Sequence, residues 1–131
     1  MLPAGTTNLD VLYIEDSTID SVLMEIIARR TRCNQIQSVM TAEIGLQLVS
    51  ECRPRLILVD LHLPGMDGLQ AIRQLKSDVT TRDIPVIAVS SDDSPELSLR
   101  AHAAGCEDFF TKPLDINKVI STLDQYLRPM L

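Results

Sequence analysis

Three carboxylates, a hydroxyl and an ammonium stand at breaks in the apolar pattern of this 131-residue sequence. Glu15 and Asp16 follow Leu-Tyr-Ile, Asp60 follows Leu-Ile-Leu-Val, Ser90 follows Val-Ile-Ala-Val, and Lys112 follows Asp-Phe-Phe-Thr. Three acids held together repel, so one would take up a proton unless a cation shared them. An all-oxygen set with no His or Cys pair placed to ligate suits a hard divalent ion, Mg²⁺ more than zinc. An aspartate in such a set can also act as a nucleophile and carry a phosphoryl group. The metal would then neutralise phosphoryl oxygens, Lys112 would pair with another, and the Ser90 hydroxyl could donate to a third.

That chemistry requires elements that bring positions 15 and 112 together. Residues 9–14 predict a first strand ending on Glu15 and Asp16. Ile19, Val22, Leu23, Ile26 and Ile27 recur at helical spacing, which predicts one apolar stripe of a helix running to about Arg30 with Ser17 as N-cap. Residues 35–40 read as a weaker edge strand. Thr41 can cap a helix carrying Gly45, Leu48, Val49 and Cys52, and Pro54 separates it from Leu56-Ile-Leu-Val-Asp60, an apolar run typical of a strand covered on both faces. Leu69, Ile72 and Leu75 mark a third helix, and residues 85–89 a fourth strand. Pro95 suits the first turn of a helix that is apolar only through small residues and stops at Gly105. Residues 107–111 give a short fifth strand, and Asp115 caps a helix bearing Ile116, Val119, Ile120, Leu123 and Leu127. Five strand-helix units predict a parallel sheet with right-handed crossovers and helices on both faces. All carboxyl ends then share one edge, where ligands bind in open α/β sheets. Glu15, Asp16, Asp60, Ser90 and Lys112 meet there.

Composition is consistent with one domain. The sequence is 45% hydrophobic, enough for a core at this length. A formal charge of -6, from 12 basic and 18 acidic residues, argues against direct binding to nucleic acid or an anionic membrane. Cys33, Cys52 and Cys106 are odd in number and widely spaced, which suggests neither a disulfide framework nor zinc and fits a cytoplasmic setting. No apolar run approaches 18 residues and no signal peptide is seen. The expected organisation is a flexible tail over residues 1–8, a domain over residues 9–127 and a short tail over residues 128–131.

Asp60-x-x-x-Pro64-x-x-Asp67-Gly68, the Glu15-Asp16 pair, Ser90 five positions after Pro85, and Lys112-Pro113 together resemble the receiver domain of two-component response regulators. The resemblance runs from about Asn8 to Leu127. It implies a flavodoxin-like, doubly wound sheet with strand order 2-1-3-4-5. It also implies that Asp60 accepts a phosphoryl group from a histidine kinase or histidine phosphotransfer protein, and that the chain signals to a downstream protein effector and is not an enzyme. By the same resemblance Asp16 and Asp60 ligate Mg²⁺, Glu15 acts through water, the His62 backbone carbonyl completes the set, and Lys112 bridges to the phosphorylated aspartate. Ser90 and Phe109 hold the switch positions. Phe109 lacks the hydroxyl that some members carry as Tyr, Ser91 stands where Ala is frequent, and His62 overhangs the site. The last two positions flank the path of an attacking water and bear on phosphoryl lifetime.

Phosphorylation adds about 1.5 to 2 negative charges at one point, and this matters only where an element has two arrangements. The Ser/Asp-rich stretch at residues 90–94 is the candidate, with the fourth helix, fifth strand and fifth helix as the readout surface. Plainer readings hold for several residues. Asp67 reads as a turn residue before Gly68, Phe109 as core or switch, His102 as a surface residue, His62 as a solvated loop residue, and the cysteines as small core residues. Arg29, Arg30 and Arg32 read as favourable charge at a helix end. Two other functions compete: a receiver-like interaction module independent of phosphorylation, and a phosphatase of the haloacid dehalogenase type. The second needs a general acid where His62 stands, and more chain.

Overall fold

The computed structural model describes residues 9–129; the expected tail at residues 1–8 and residues 130–131 lie outside the described residues. Five strands alternate with five helices: β1 Val11–Ile14, α1 Thr18–Ala28, β2 Ile36–Val39, α2 Ala42–Cys52, β3 Leu56–Asp60, α3 Gly68–Ser77, β4 Val86–Ser90, α4 Pro95–Ala104, β5 Asp108–Thr111 and α5 Ile116–Tyr126. All pairings are parallel and the order is β2-β1-β3-β4-β5, as expected. β3 is buried along its whole length and β2 is the half-exposed edge.

The two-residue period of a strand divides the core between the faces. Val11, Tyr13, Leu56, Leu58, Ile87, Val89 and Phe110 pack with Met24 and Ile27 of α1 and Val119 and Leu123 of α5. Leu12, Ile14, Ile57, Val59, Val86 and Ala88 pack under α2, α3 and α4 with Val49, Leu69, Ile72, Leu75 and Ala101. Continued by parity, Glu15, Asp60 and Lys112 extend the α1/α5 face. Ser90 extends the face covered by α4.

The helix starts follow the capping chemistry. Ser17, Thr41 and Asp115 accept backbone N–H bonds from Asp20, Ile44 and Lys118 at the N-termini of α1, α2 and α5. Asp67 is the N-cap of α3, accepting from the Gln70 N–H at 2.8 Å, so its turn role includes starting a helix. Gly68 follows because α3 enters against the sheet edge: a Cβ at this position would strike the Asp60 carbonyl oxygen and the Leu61 Cα. This close approach ties the start of α3 to the backbone of Asp60.

The apolar stripe expected on α1 is corrected by the structure. Met24, Ile27 and Ala28 face the sheet, whereas Ile19 is 81% exposed and Val22, Leu23 and Ile26 are also exposed. The helix is apolar over more than one face, and of the five expected stripe residues only Ile27 is buried. Cys106 is buried and Cys33 and Cys52 are half-buried, in keeping with the core reading. No helix among the described residues is long and apolar enough to cross a membrane.

Candidate functional site at the strand ends

The ladder continues past each strand end and fixes where the polar residues begin. The Glu15 N–H donates to the Val39 carbonyl at 2.9 Å, Leu61 to Val89 at 2.9 Å, and Lys112 to Ser90 at 2.8 Å. The Lys112–Pro113 peptide is cis. The five expected residues are thereby assembled at one edge, and two linked networks form on opposite faces.

On the α1/α5 face, Lys112 Nζ donates to Glu15 Oε1 at 2.6 Å, Asp60 Oδ2 at 2.7 Å and Asp20 Oδ2 at 2.9 Å. Three donors meet three carboxylates, so the ammonium is saturated. Glu15 and Asp60 are nearly inaccessible, at 1% and 4%. Burial alone would lower the Lys112 pKa, but the hydrogen bonds it donates to Asp60, Glu15 and Asp20 outweigh it and hold the group above the ordinary lysine value. Asp20 was not anticipated. It lies in the first turn of α1, where the parity of β1 and β3 directs their terminal acids toward that helix. A residue four places after Asp16 carries no strand-end signal in sequence.

Tyr13 was also missed. Its buried hydroxyl donates to Glu15 Oε1 at 2.8 Å, and Glu15 Oε2 accepts the Ser17 N–H at 3.2 Å. Burial and then the Glu15 charge raise the phenol pKa far above its usual value, so the hydroxyl stays a donor. In sequence, Tyr13 reads only as an aromatic in a strand, two positions before an acid on the same face. Tyr13→Phe is expected to cost about 1 kcal/mol in urea unfolding, the scale of a hydrogen bond to a charged acceptor that keeps other donors. No change would mean that Ser17 and Lys112 suffice to hold Glu15.

Glu15, Asp16 and Asp60 can each offer a carboxylate oxygen such that the three atoms lie within 4.8 Å of one another, with Asp16 exposed and the other two buried. The His62 N–H donates to Asp60 Oδ1 at 2.6 Å. This all-oxygen set with one open flank fits a small hard divalent ion that keeps several waters.

On the α4 face, Ser90 is fully buried, and its Oγ accepts the Asp92 N–H at 3.0 Å and lies 3.1 Å from His62 Nε2. His62 is exposed but is not merely solvated: its ring is tied to Ser90. Asp92 Oδ1 accepts the Ser94 N–H, which pulls the Asp92 carboxyl below its usual range, and Ser94 caps α4. Hydrogen bonds therefore run from Ser90 along this loop to the start of α4. Phe109 is half-buried and packs against the α2/α3/α4 core, while Phe110 is the buried aromatic of the other face.

A family model described as the response regulator receiver domain matches residues 11–124. The polar-differentiation response regulator DivK of Brucella anthropi is 33% identical over 117 residues, covering 89% of this chain and 94% of that protein. The signal receiver domain of a DNA binding response regulator from Colwellia psychrerythraea 34H superposes with a TM-score of 0.84 at 25% identity, covering 93% of this chain and all of that one. The receiver domain of a signal transduction histidine kinase from Syntrophus aciditrophicus superposes with a TM-score of 0.78 at 28% identity, covering 93% and 94%. On the match over residues 11–124 and the likeness to these proteins, the chain belongs to the response regulator receiver domain family.

Proposed function

We propose that the chain is the phosphoacceptor of a two-component or phosphorelay system, with Asp60 as acceptor and a histidine kinase or histidine phosphotransfer protein as donor. The observation that carries this reading is the Lys112 ammonium bonded at once to Glu15, Asp20 and Asp60 beside an acid cluster fit for a divalent ion. An Asp60 carboxylate oxygen attacks phosphorus, the P–O bond forms as the P–N bond to the donor imidazole breaks, and the donor ring, already protonated on its other nitrogen, keeps the P–N electron pair and leaves as neutral imidazole. Asp16, Asp60, the His62 backbone carbonyl and, through water, Glu15 would hold Mg²⁺, which supplies neutralisation of phosphoryl charge. Lys112 offers its charge to the new phosphoryl group by giving up its bond to Asp60.

The donor must cover the strand ends to reach Asp60. The exposed Ile19, Val22, Leu23 and Ile26 on α1 adjoin that edge and supply an apolar landing surface of the kind that marks protein partners. The change on phosphorylation starts at Ser90, on the face covered by α4. A phosphoryl oxygen accepts the Ser90 hydroxyl and draws Oγ away from His62 and the Asp92 N–H, the loop to Ser94 rearranges, and Phe109 follows on β5. A downstream protein effector distinguishes the states on α4, β5 and α5. The chain assists its own phosphorylation and dephosphorylation without turning over an external substrate, which suits a cytoplasmic switch.

Incubation with acetyl phosphate or phosphoramidate and Mg²⁺, followed by intact mass, tests the reading. One added phosphoryl group that chelation of Mg²⁺ prevents is the expected result. Failure with these donors and with phosphorylated histidine kinases would leave the phosphorylation-independent interaction module as the better description.

A further inference from the structure

We propose that the groove between α3 and α4 is a second recognition site that takes an acidic segment of the downstream protein partner. It rests on the reading of α4 as a readout element but extends the surface to α3, beyond the α4, β5 and α5 face. The groove has a volume of 410 Å³ and is lined by Arg73, Lys76 and Ser77 of α3 and by Arg100, Ala103 and Ala104 of α4. The chain carries a net charge of -6, yet three cations and no carboxylate line this groove.

The three cations are not equivalent. Lys76 is committed to the fold: its Nζ donates to the Arg82 carbonyl at 3.1 Å, the Ile84 carbonyl at 2.8 Å and Glu107 Oε1 at 2.6 Å. Its stem lies against Gly105, where a Cβ would approach the Lys76 Cγ to 2.6 Å. Lys76 is thus a fixed, neutralised base to the groove. Arg73 and Arg100, one on each wall and both exposed, make no ion pair or hydrogen bond among the described residues. Two guanidinium forks facing one groove suit carboxylates, which they engage in bidentate fashion. The small Ala103 and Ala104 let a chain lie close to α4.

The shape selects the occupant. Small-molecule sites enclose most of their ligand, whereas this groove is an open channel between two helices, the form that accepts a peptide segment. Arg100 also lines an adjoining cavity of 520 Å³ that contains Asp16, His62, Asp67 and Leu97. A segment bound in the groove therefore touches a residue that borders the phosphoacceptor edge. Because α4 forms one wall, any shift of α4 on phosphorylation changes the groove, and binding must by reciprocity favour one state of the switch.

The test uses the intact chain, a hexaglutamate peptide and inorganic pyrophosphate, with amide NMR shifts and calorimetry at low ionic strength. The peptide is expected to perturb Arg73, Ser77, Arg100 and Ala104. The Arg73→Gln/Arg100→Gln double variant should weaken peptide binding by about tenfold or more, and Arg30→Gln, in the exposed turn after α1, should not. Beryllofluoride with Mg²⁺ should change the affinity by about fivefold or more. Peptide shifts scattered over the surface, equal affinity in the double variant, no response to beryllofluoride, or pyrophosphate binding without peptide binding would each overturn the proposal. Phosphoryl uptake at Asp60 is measured on the same variants. Its retention shows that they are folded and keeps a failure here separate from a failure of the phosphoacceptor reading.

Discussion

An Asp60→Asn chain is expected to gain no phosphoryl group under conditions in which the wild type gains one, as read by intact mass. The amide keeps the shape of the carboxylate, and an oxygen can still accept the His62 N–H now found at 2.6 Å from Oδ1. It has no anionic oxygen to attack phosphorus. The same change removes the Lys112 partner at 2.7 Å and one of the three clustered carboxylates. Mg²⁺ affinity measured by calorimetry should therefore fall by about tenfold or more, since a hard cation depends on ligand charge. A variant that still takes up one phosphoryl group would move the acceptor to another acid, with exposed Asp16 the first to test.

Lys112→Met should produce two losses of different kinds. The Lys112 side chain is 19% exposed and is packed against the buried carboxylates of Glu15 and Asp60. Removing one partner of a buried ion pair costs about 3 to 5 kcal/mol, because the other charge stays behind. Asp16 and Asp20 leave this site partly open, so about 2 to 3 kcal/mol is expected in urea unfolding with chelator present. Millimolar Mg²⁺ should recover most of it, since the ion binds the folded acid cluster and replaces the missing charge. Phosphoryl uptake should nevertheless fall about a hundredfold, because a cation on the acids does not replace the donor aimed at a phosphoryl oxygen. Equal stability loss with and without Mg²⁺ would refute charge neutralisation as the role of Lys112. The raised pKa of Lys112 sets the pH window for this measurement. The contribution of its pairing is full below the unfolded lysine value, about pH 10.4, and fades only as pH rises through the higher folded value.

The sheet was legible because its signals are local. Leu56-Ile-Leu-Val ends on Asp60 and breaks into Pro and Gly, and Ser17, Thr41 and Asp115 start helices by capping chemistry that acts over three residues. Parallel strands then had to bring Glu15, Asp60, Ser90 and Lys112 to one edge. What periodicity did not decide was which apolar face of α1 meets the sheet, because Ile19, Val22, Leu23 and Ile26 form as regular a stripe as the buried Met24, Ile27 and Ala28. The contacts of Asp20, Tyr13 and His62 were not legible either. Those of Asp20 and His62 cross between elements, so strand parity and the placement of α1 and α4 determine their partners, whereas the Tyr13 bond to Glu15 runs along one strand face, where an aromatic beside an acid carries no distinctive pattern.

The ion pair between Lys112 and Glu15 joins residues 97 positions apart, from the ends of β5 and β1. While a ribosome is still delivering β5, the acids of β1 and β3 are already present without the ammonium that holds them together. A growing or truncated chain that lacks β5 therefore has the carboxylates but not their counter-charge. On the phosphoacceptor reading, a cleavage between β4 and β5 would therefore abolish phosphoryl uptake without touching Asp60.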